Sequence, residues 1–133
     1  MLSRYMSSYL AILFTFLCLD GLWLGLVAGD SYRQAMAHVM RSDIPTWPWV
    51  VFYLVYVGAI LSLAVIVSTS KKHGALRGAI LGMAAYGTYN LTNYTLIIDW
   101  PLAITLQDWL WGTVLSAVSA LAGGTVWLRM AGK

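Results

Sequence analysis

Two aspartates lie inside stretches of sequence that are otherwise apolar, and they are the side chains best suited to chemistry. Asp20 interrupts one apolar stretch, and Asp108 lies near the start of another. Each is followed three residues later by a tryptophan, Trp23 and Trp111, so acid and indole project from one side of a helix. A carboxylate in apolar surroundings can hold a proton or a cation, or act as a general acid or base. Which of these applies depends on the elements around the two carboxylates.

The composition excludes a water-soluble globular domain. Of 133 residues, 60% are hydrophobic and only 10% are charged, whereas globular proteins average about 25% charged residues. The mean hydropathy is +0.74. The apolar residues form four blocks at about 9–29, 47–68, 78–98 and 102–130, each long enough to cross a bilayer. We therefore predict an all-α integral membrane protein, one domain over residues 1–133 with four transmembrane helices.

The connection between the first two blocks has a different pattern. Ser31 and Gln34 fit the capping box that begins many helices. Tyr32 and Met36 fall on one apolar face, with charged residues on the other side. This pattern predicts a short amphipathic helix at about 31–42 that lies in the plane of the membrane interface.

The net charge of +3 is explained by membrane topology rather than by a nucleic-acid partner, because the bases sit at the ends of the apolar blocks. One side of the membrane would carry Arg4, Lys71, Lys72, Arg77, Arg129 and Lys133, and the other only Arg33 and Arg41. Cytoplasmic segments of membrane proteins are enriched in Lys and Arg. We therefore predict that the N- and C-termini are both cytoplasmic.

Polar residues from all four predicted spans fall at one level in the outer half of the membrane, given a rise of about 1.5 Å per helical residue. The candidate ligand-binding residues at this level are Asp20, Trp23, Tyr53, Tyr56, Tyr89, Asn90, Asn93, Asp108 and Trp111. No Lys or Arg lies within the spans at this level, so each aspartate must be protonated, hydrogen-bonded, hydrated or neutralised by a bound cation. Three interpretations stay open. The polar residues form a buried network that holds the helices together, or they line a partly wet cavity, open to the outer side, that binds a small ligand, proton or cation. In the third, Asp108 lies near the interface and is simply hydrated.

Motifs of catalysis and cofactor binding are missing from the sequence. There is no nucleophile elbow, zinc-protease motif or phosphate loop. His38 and His73 fall on opposite sides of the membrane in the predicted topology, so they cannot share a metal. The sequence nominates no catalytic residue, no metal and no cofactor, and it favours a role other than catalysis without deciding the matter.

Glycines at four-residue spacing predict two places of close helix packing. They are Gly21, Gly25 and Gly29 in the first span, and Gly74, Gly78 and Gly82 at the start of the third.

Four phrases of the sequence resemble the DUF2177 family of small bacterial four-helix membrane proteins. They are L-D-x-x-W-L at Asp20, the tyrosine-rich second span, Y-N-L-T-N at Asn90, and W-P followed by D-x-x-W-G at Asp108. The resemblance covers nearly the whole chain. It implies a four-helix membrane fold and a place in the bacterial inner membrane. It implies no activity, because the family's function is not established. The family's third phrase usually reads Y-D-L-T-N, so Asn90 replaces an acid and argues against a mechanism that needs three carboxylates.

Three functional hypotheses follow. The first is binding of a small molecule or cation, with transport through a homo-oligomer, in which Asp20 and Asp108 supply charge and Trp23 and Trp111 form the walls. The second is a structural accessory subunit of a larger membrane complex. The third is a lipid-modifying enzyme or its membrane partner. In each of them the lipid bilayer is the first partner of the chain.

Overall fold

The computed structural model describes residues 1–132, and its regular elements are helices throughout that part of the chain. They are α1 (Leu2–Leu22), which continues as a π-helical segment (Trp23–Val27); α2 (Gly29–Ala35); α3 (Trp47–Ile60), which continues as a second π-helical segment (Leu61–Val65); α4 (Lys71–Leu96); and α5 (Leu102–Arg129). The prediction of an all-α chain is confirmed.

Three stretches are long and apolar enough to cross a membrane: Leu2–Val27, Trp47–Val65 and Leu102–Arg129. Helix α4 has 26 residues, or about 39 Å at 1.5 Å per residue, but its sequence is more polar. Large apolar side chains face outward, among them Phe14 at 72% exposure. Such an apolar exterior is what lipid contact requires and what a soluble monomer avoids.

Two predicted spans begin earlier in the structure than the sequence indicates. Helix α1 begins at Leu2 rather than near residue 9, and α4 begins at Lys71 rather than near residue 78. At α4, the hydroxyl of Ser70 accepts a hydrogen bond of 3.1 Å from the backbone N–H of His73 and so caps the first turn. Hydropathy marks only the apolar part of such a helix, because the helix itself continues into polar residues.

The interfacial helix is shorter than the predicted range 31–42. Helix α2 ends at Ala35 and is followed by turns. It begins at Gly29, directly after the π-helical end of α1, with Ala28 as its N-cap and no side-chain capping bond. Ser31 therefore lies inside the helix and is not its cap.

Helices α4 and α5 run antiparallel and approach each other closely. Their connection turns at Asp99, which has a positive φ of 60°, a conformation that aspartate tolerates better than most residues. A Cβ at Gly82 would lie 2.5 Å from the carbonyl oxygen of Gly112 and 2.6 Å from the hydroxyl oxygen of Ser116. Gly82 thus allows backbone contact between the two helices, which fixes the register of their polar residues.

The two predicted glycine ladders differ in what they contact. Gly78 and Gly82 pack directly on α5, as the spacing predicts. A Cβ added at Gly21 or Gly25 would instead have no neighbour within 4 Å. Their spacing alone could not distinguish a packed helix face from one that points outward.

The core lies where α1 crosses α3 and α5. Ile12, Phe16, Val57 and Leu115 are fully buried there. The ring of Phe16 meets the ring of Tyr53 edge to face, with 5.8 Å between centroids. Phe16 lies one helical turn before Asp20, so this packing sets the position of Asp20 along α1 relative to α3.

The bundle has two chemically different ends. We call the end that holds Val27, Trp47, Leu96 and Leu102 the carboxylate end, and the opposite one, with Leu2, Val65, Lys71 and Arg129, the basic end.

Candidate functional site

Polar side chains from four long helices meet near the carboxylate end. Asp20, Tyr53, Asn90 and Asp108 each lie six or seven residues from that end of their helix, which corresponds to roughly 10 Å. The helix register set by the core and by the α4–α5 contact therefore brings them to one level.

Asp20 ties α1 to α3 and α5. The hydroxyl of Tyr53 donates to its Oδ2 at 2.7 Å, and the indole N–H of Trp111 donates to its Oδ1 at 3.1 Å. The residue is 7% exposed. Each carboxylate oxygen thus has one neutral donor in a position that is largely closed to solvent.

Asp108 ties α5 to α4 and α2. The side-chain amide of Asn90 donates to its Oδ2 at 2.6 Å, and the hydroxyl of Tyr32 donates to its Oδ1 at 3.1 Å. That hydroxyl in turn accepts from the indole N–H of Trp23 at 3.4 Å. Burial is the main cause that raises the pKa of Tyr32, and the negative charge of Asp108 adds to it. Tyr32 therefore remains a protonated donor at neutral pH.

A pair of indole rings joins the two halves. Trp23 and Trp111 stack with centroids 4.4 Å apart and planes inclined by 7°. Each of them also takes part in one of the hydrogen-bond sets. We call the whole assembly the carboxylate network: Asp20, Trp23, Tyr32, Tyr53, Asn90, Asp108 and Trp111.

The hydrogen bonds to both carboxylates come from neutral groups. The two arginines near this end are engaged elsewhere: Arg33 pairs with Asp30, and Arg41 donates to the backbone oxygen of Asp43 at 3.0 Å. Across residues 1–132 neither network aspartate forms an ion pair. If both were ionised they would repel each other. The arrangement suits a site that accepts a proton or another cation.

Asn90 is the most enclosed member of the network, with no exposed surface. Its amide nitrogen also donates to the backbone oxygen of Tyr86 at 3.0 Å, so both amide hydrogens are used. Its Oδ1 is buried and has no hydrogen-bond donor among the described residues. Asn90 therefore bridges α4 to Asp108 and leaves one acceptor free.

Three of the predicted site residues stand apart from the network. Tyr56 hydrogen-bonds the hydroxyl of Ser116 at 2.8 Å, one turn deeper in the bundle. Tyr89 is 55% exposed, and its ring meets Trp100 edge to face. Asn93 is half-buried and makes no hydrogen bond to either network aspartate. Helical spacing groups such residues by face, but only packing decides which face turns inward.

Tyr32 is the member that the sequence does not nominate. The sequence pattern places Tyr32 on the apolar face of an interfacial helix. In the structure that face of α2 points toward the bundle, so the hydroxyl of Tyr32 reaches Asp108. Since α2 follows directly after α1, a tyrosine on that face lies close to the level of the aspartates. The signal is present, but the length of the preceding π-helical segment, which sets the direction of α2, is not readable from the residues.

Two open cavities lie away from the network. One of about 340 Å³ is an apolar groove along α3 between Trp47 and Ala59. The other, of about 320 Å³, lies at the basic end and is lined by Arg4, Trp127 and the connection after α3. The described residues contain no group of three or more His, Cys, Asp or Glu side chains that could hold a metal. The network thus offers two single carboxylates rather than a metal cluster.

No curated protein and no solved structure matches the chain. A family model does match it, over residues 5–125, and that family is described as a predicted membrane protein. The match covers most of the chain, including every member of the carboxylate network, and agrees with the apolar helices of the structure. The protein is therefore a member of the DUF2177 family of membrane proteins.

Proposed function

We propose that the protein binds a cation, either a proton or a small cationic molecule, at Asp20 and Asp108. One observation carries the proposal: Asp20, which is buried, and Asp108, which is half-buried, both lie among apolar helices and accept hydrogen bonds only from neutral donors.

The energetics favour an occupied site. An aspartate near the centre of a membrane helix costs about 2.5 to 3.5 kcal/mol on insertion scales. Neutral hydrogen-bond donors offset part of that cost, but repulsion between two ionised carboxylates adds to it. A proton or another cation removes the repulsion and the unbalanced charge together. We therefore expect a bound proton or cation to stabilise the folded network.

Each group has a defined part in this proposal. Asp20 and Asp108 supply the negative charge, and Tyr32 and Asn90 hold the carboxylate of Asp108 in place. The stacked indoles of Trp23 and Trp111 offer π-faces to an organic cation. Movement of a cation through so thin a bundle would require a homo-oligomer, in which neighbouring chains complete the path.

The same proposal includes four membrane spans, with α4 as the third. Helix α4 is long enough to span, and it packs tightly on α5 through Gly78 and Gly82. Its polar start would then lie on the side that holds Arg4 and Arg129. By the bias of Lys and Arg, that side is the cytoplasmic face of the inner membrane, and both termini lie there. Reporter fusions in the connection at residues 66–70 test this, and an external reporter there would contradict it.

One observation favours a second candidate, a structural accessory subunit of a larger membrane complex. Each of the four carboxylate oxygens already accepts a hydrogen bond from another helix or from α2. A network whose acceptors are all satisfied in this way holds the helices together and needs no ligand to be stable.

A thermal-shift experiment on the purified chain separates the two candidates. The melting temperature is measured across pH and with sodium, potassium and tetramethylammonium chlorides at constant ionic strength. For cation binding we expect wild type to be stabilised by acid or by one of these cations, and Asp20→Asn and Asp108→Asn to lose that response. Asp99→Asn is the matched control, because Asp99 is exposed in a turn.

An accessory subunit would behave differently in the same experiment. Its two network variants would melt at lower temperature, but wild type would show no greater response to acid or cations than the variants. That result would overturn the proposal of cation binding.

A further inference from the structure

The cleft of about 320 Å³ at the basic end differs chemically from the carboxylate network. It opens between the start of α1, the end of α5 and residues 66–69. Its charged side chain is Arg4, and the aromatic wall is Trp127. None of the proposed cation-binding residues contributes to its lining. The cleft is therefore a candidate for a separate ligand of opposite charge.

Arg4 is held in a fixed orientation in this cleft. Its Nε donates to the backbone oxygen of Trp127 at 2.8 Å, and the guanidinium carbon lies 3.5 Å from the centroid of the Trp127 indole. Tyr5 packs edge-on against the same indole, with 4.8 Å between centroids. A stacked and hydrogen-bonded arginine loses less conformational freedom when it binds a ligand than a free one would.

The free edge of this guanidinium has the geometry that suits phosphate. The bond to Trp127 uses Nε, and the two terminal amino groups have no side-chain or backbone acceptor within the described residues. Those two groups form a planar fork that can donate to two oxygens of one phosphate. The cleft thus presents a pre-oriented donor pair next to open space.

The charges around the cleft have one sign. Lys71, Lys72, Arg77 and Arg129 lie at the same end of the bundle, whereas the five acidic residues of the chain all lie toward the carboxylate end. Helix α4 also begins beside the cleft, since a Cβ added at Gly124 of α5 would lie 3.8 Å from the Cα atom of Lys71. Its positive dipole end adds to the field there. The surroundings therefore attract an anion.

We propose that this cleft binds the phosphate of an anionic phospholipid headgroup. Arg4 donates to two phosphate oxygens, and Trp127 forms one wall. The position at the helix ends is the level at which headgroups lie in a bilayer, and basic pockets between membrane helices are known to select anionic lipids. The acyl chains then run along the apolar outer surfaces of α1 and α5. This site is independent of the cation-binding proposal.

The test titrates the purified full chain in a neutral detergent with short-chain phosphatidylglycerol or phosphatidylcholine. The readouts are the melting temperature and, by native mass spectrometry, the number of lipids bound. We expect phosphatidylglycerol to raise the melting temperature and to bind at one lipid per chain, with phosphatidylcholine weaker. Arg4→Gln should raise the half-effective lipid concentration about tenfold, the loss expected for charged hydrogen bonds. Arg4→Lys keeps the charge but lacks the planar fork, so its half-effective lipid concentration should lie between those of wild type and Arg4→Gln.

Arg129→Gln is the matched control, because it removes the same charge from the same end but lies outside the cleft lining. It should change the half-effective concentration by less than about twofold, as expected for an exposed charge.

Three results would overturn the site or its assignment. An equal loss of lipid affinity in Arg4→Gln and Arg129→Gln would mean diffuse electrostatic attraction rather than a defined site. Equal binding of the two lipids would do the same. If inorganic phosphate at constant ionic strength raised the melting temperature as much as phosphatidylglycerol does, the assignment of the site to a lipid would be overturned. The two lipids and phosphate are compared on wild type, so a variant that fails to fold leaves the test intact.

Discussion

The two ends of the bundle use charge in opposite ways. At the basic end, Arg77 donates to the backbone oxygen of Leu63 at 2.9 Å and Arg4 donates to that of Trp127. Both acceptors lie in the last turns of their helices, where backbone carbonyls lack intrahelical partners. At the carboxylate end, Asp20 and Asp108 instead point inward and accept bonds from side chains of other helices.

The difference shows which end depends on tertiary structure. A long basic side chain can find a helix-end carbonyl and keep contact with water, so its loss is partly replaced by solvent. A buried carboxylate has no such replacement, and each lost donor leaves an acceptor unsatisfied. Substitutions should therefore be costlier at the carboxylate end, and the following variants test that ranking.

The largest effect is expected between the two ends, at the α4–α5 contact on which both depend. In Gly82→Ala the new methyl group would meet the backbone of Gly112 at 2.5 Å, so the helices must separate. We expect the free energy of unfolding, measured by SDS titration in mixed micelles, to fall by about 3 kcal/mol. Gly21→Ala is the matched control, with nothing within 4 Å, and should leave stability within about 0.5 kcal/mol. Similar losses in both would refute the close packing.

A smaller loss is expected when one donor is removed from the carboxylate end. Tyr53→Phe deletes the 2.7 Å hydrogen bond to Asp20 and leaves one buried carboxylate oxygen unsatisfied. The same titration should show a loss of about 2 kcal/mol. Tyr94→Phe makes the same change on an exposed ring and should be nearly neutral. If Tyr53→Phe were as mild as Tyr94→Phe, the two ends would not differ in the way described.

Asn90→Asp sharpens the comparison by adding a third acid at the carboxylate end. The new carboxyl group would replace an amide that lies 2.6 Å from Asp108, and two carboxylates so close cannot both be ionised. The folded variant then holds a proton that the unfolded chain releases, so its stability falls as pH rises. Relative to wild type, we expect a further loss of about 1.4 kcal/mol as the pH rises from about 3 to about 6, because a shift of about one pKa unit above the usual aspartate value of about 3.9 acts mainly in that range. A pH-independent difference would contradict direct contact between the two groups.

The smallest effect is expected at the basic end. Arg77→Gln removes the bond to the Leu63 carbonyl, which water can replace, and should lower stability by about 0.5 kcal/mol. Lys72→Gln provides the control for charge alone, because Lys72 is exposed in the first turn of the same helix. A loss from Arg77→Gln larger than that from Tyr53→Phe would reverse the ranking of the two ends.

For the carboxylate end, the sequence predicts the height of the polar residues along their helices but not which of them are in contact. The rise per residue predicts Asp20, Asn90 and Asp108 at one height, and the structure places them there. The same reasoning puts Tyr56 and Tyr89 with them, yet Tyr56 pairs with Ser116 and Tyr89 faces outward. Height depends only on position along a helix, whereas contact depends on how each helix is rotated.

The sequence by itself determined an apolar, all-helical membrane chain with its acids toward one end and most of its bases at the other. These properties follow from composition and from the fixed rise of a helix, so they need no knowledge of neighbours. Only the tertiary structure decided that Tyr32 reaches Asp108, that Trp23 stacks on Trp111, and that Arg4 lies over Trp127. Each of these contacts joins separate elements whose rotation and separation are set by packing, including the glycine contact between α4 and α5.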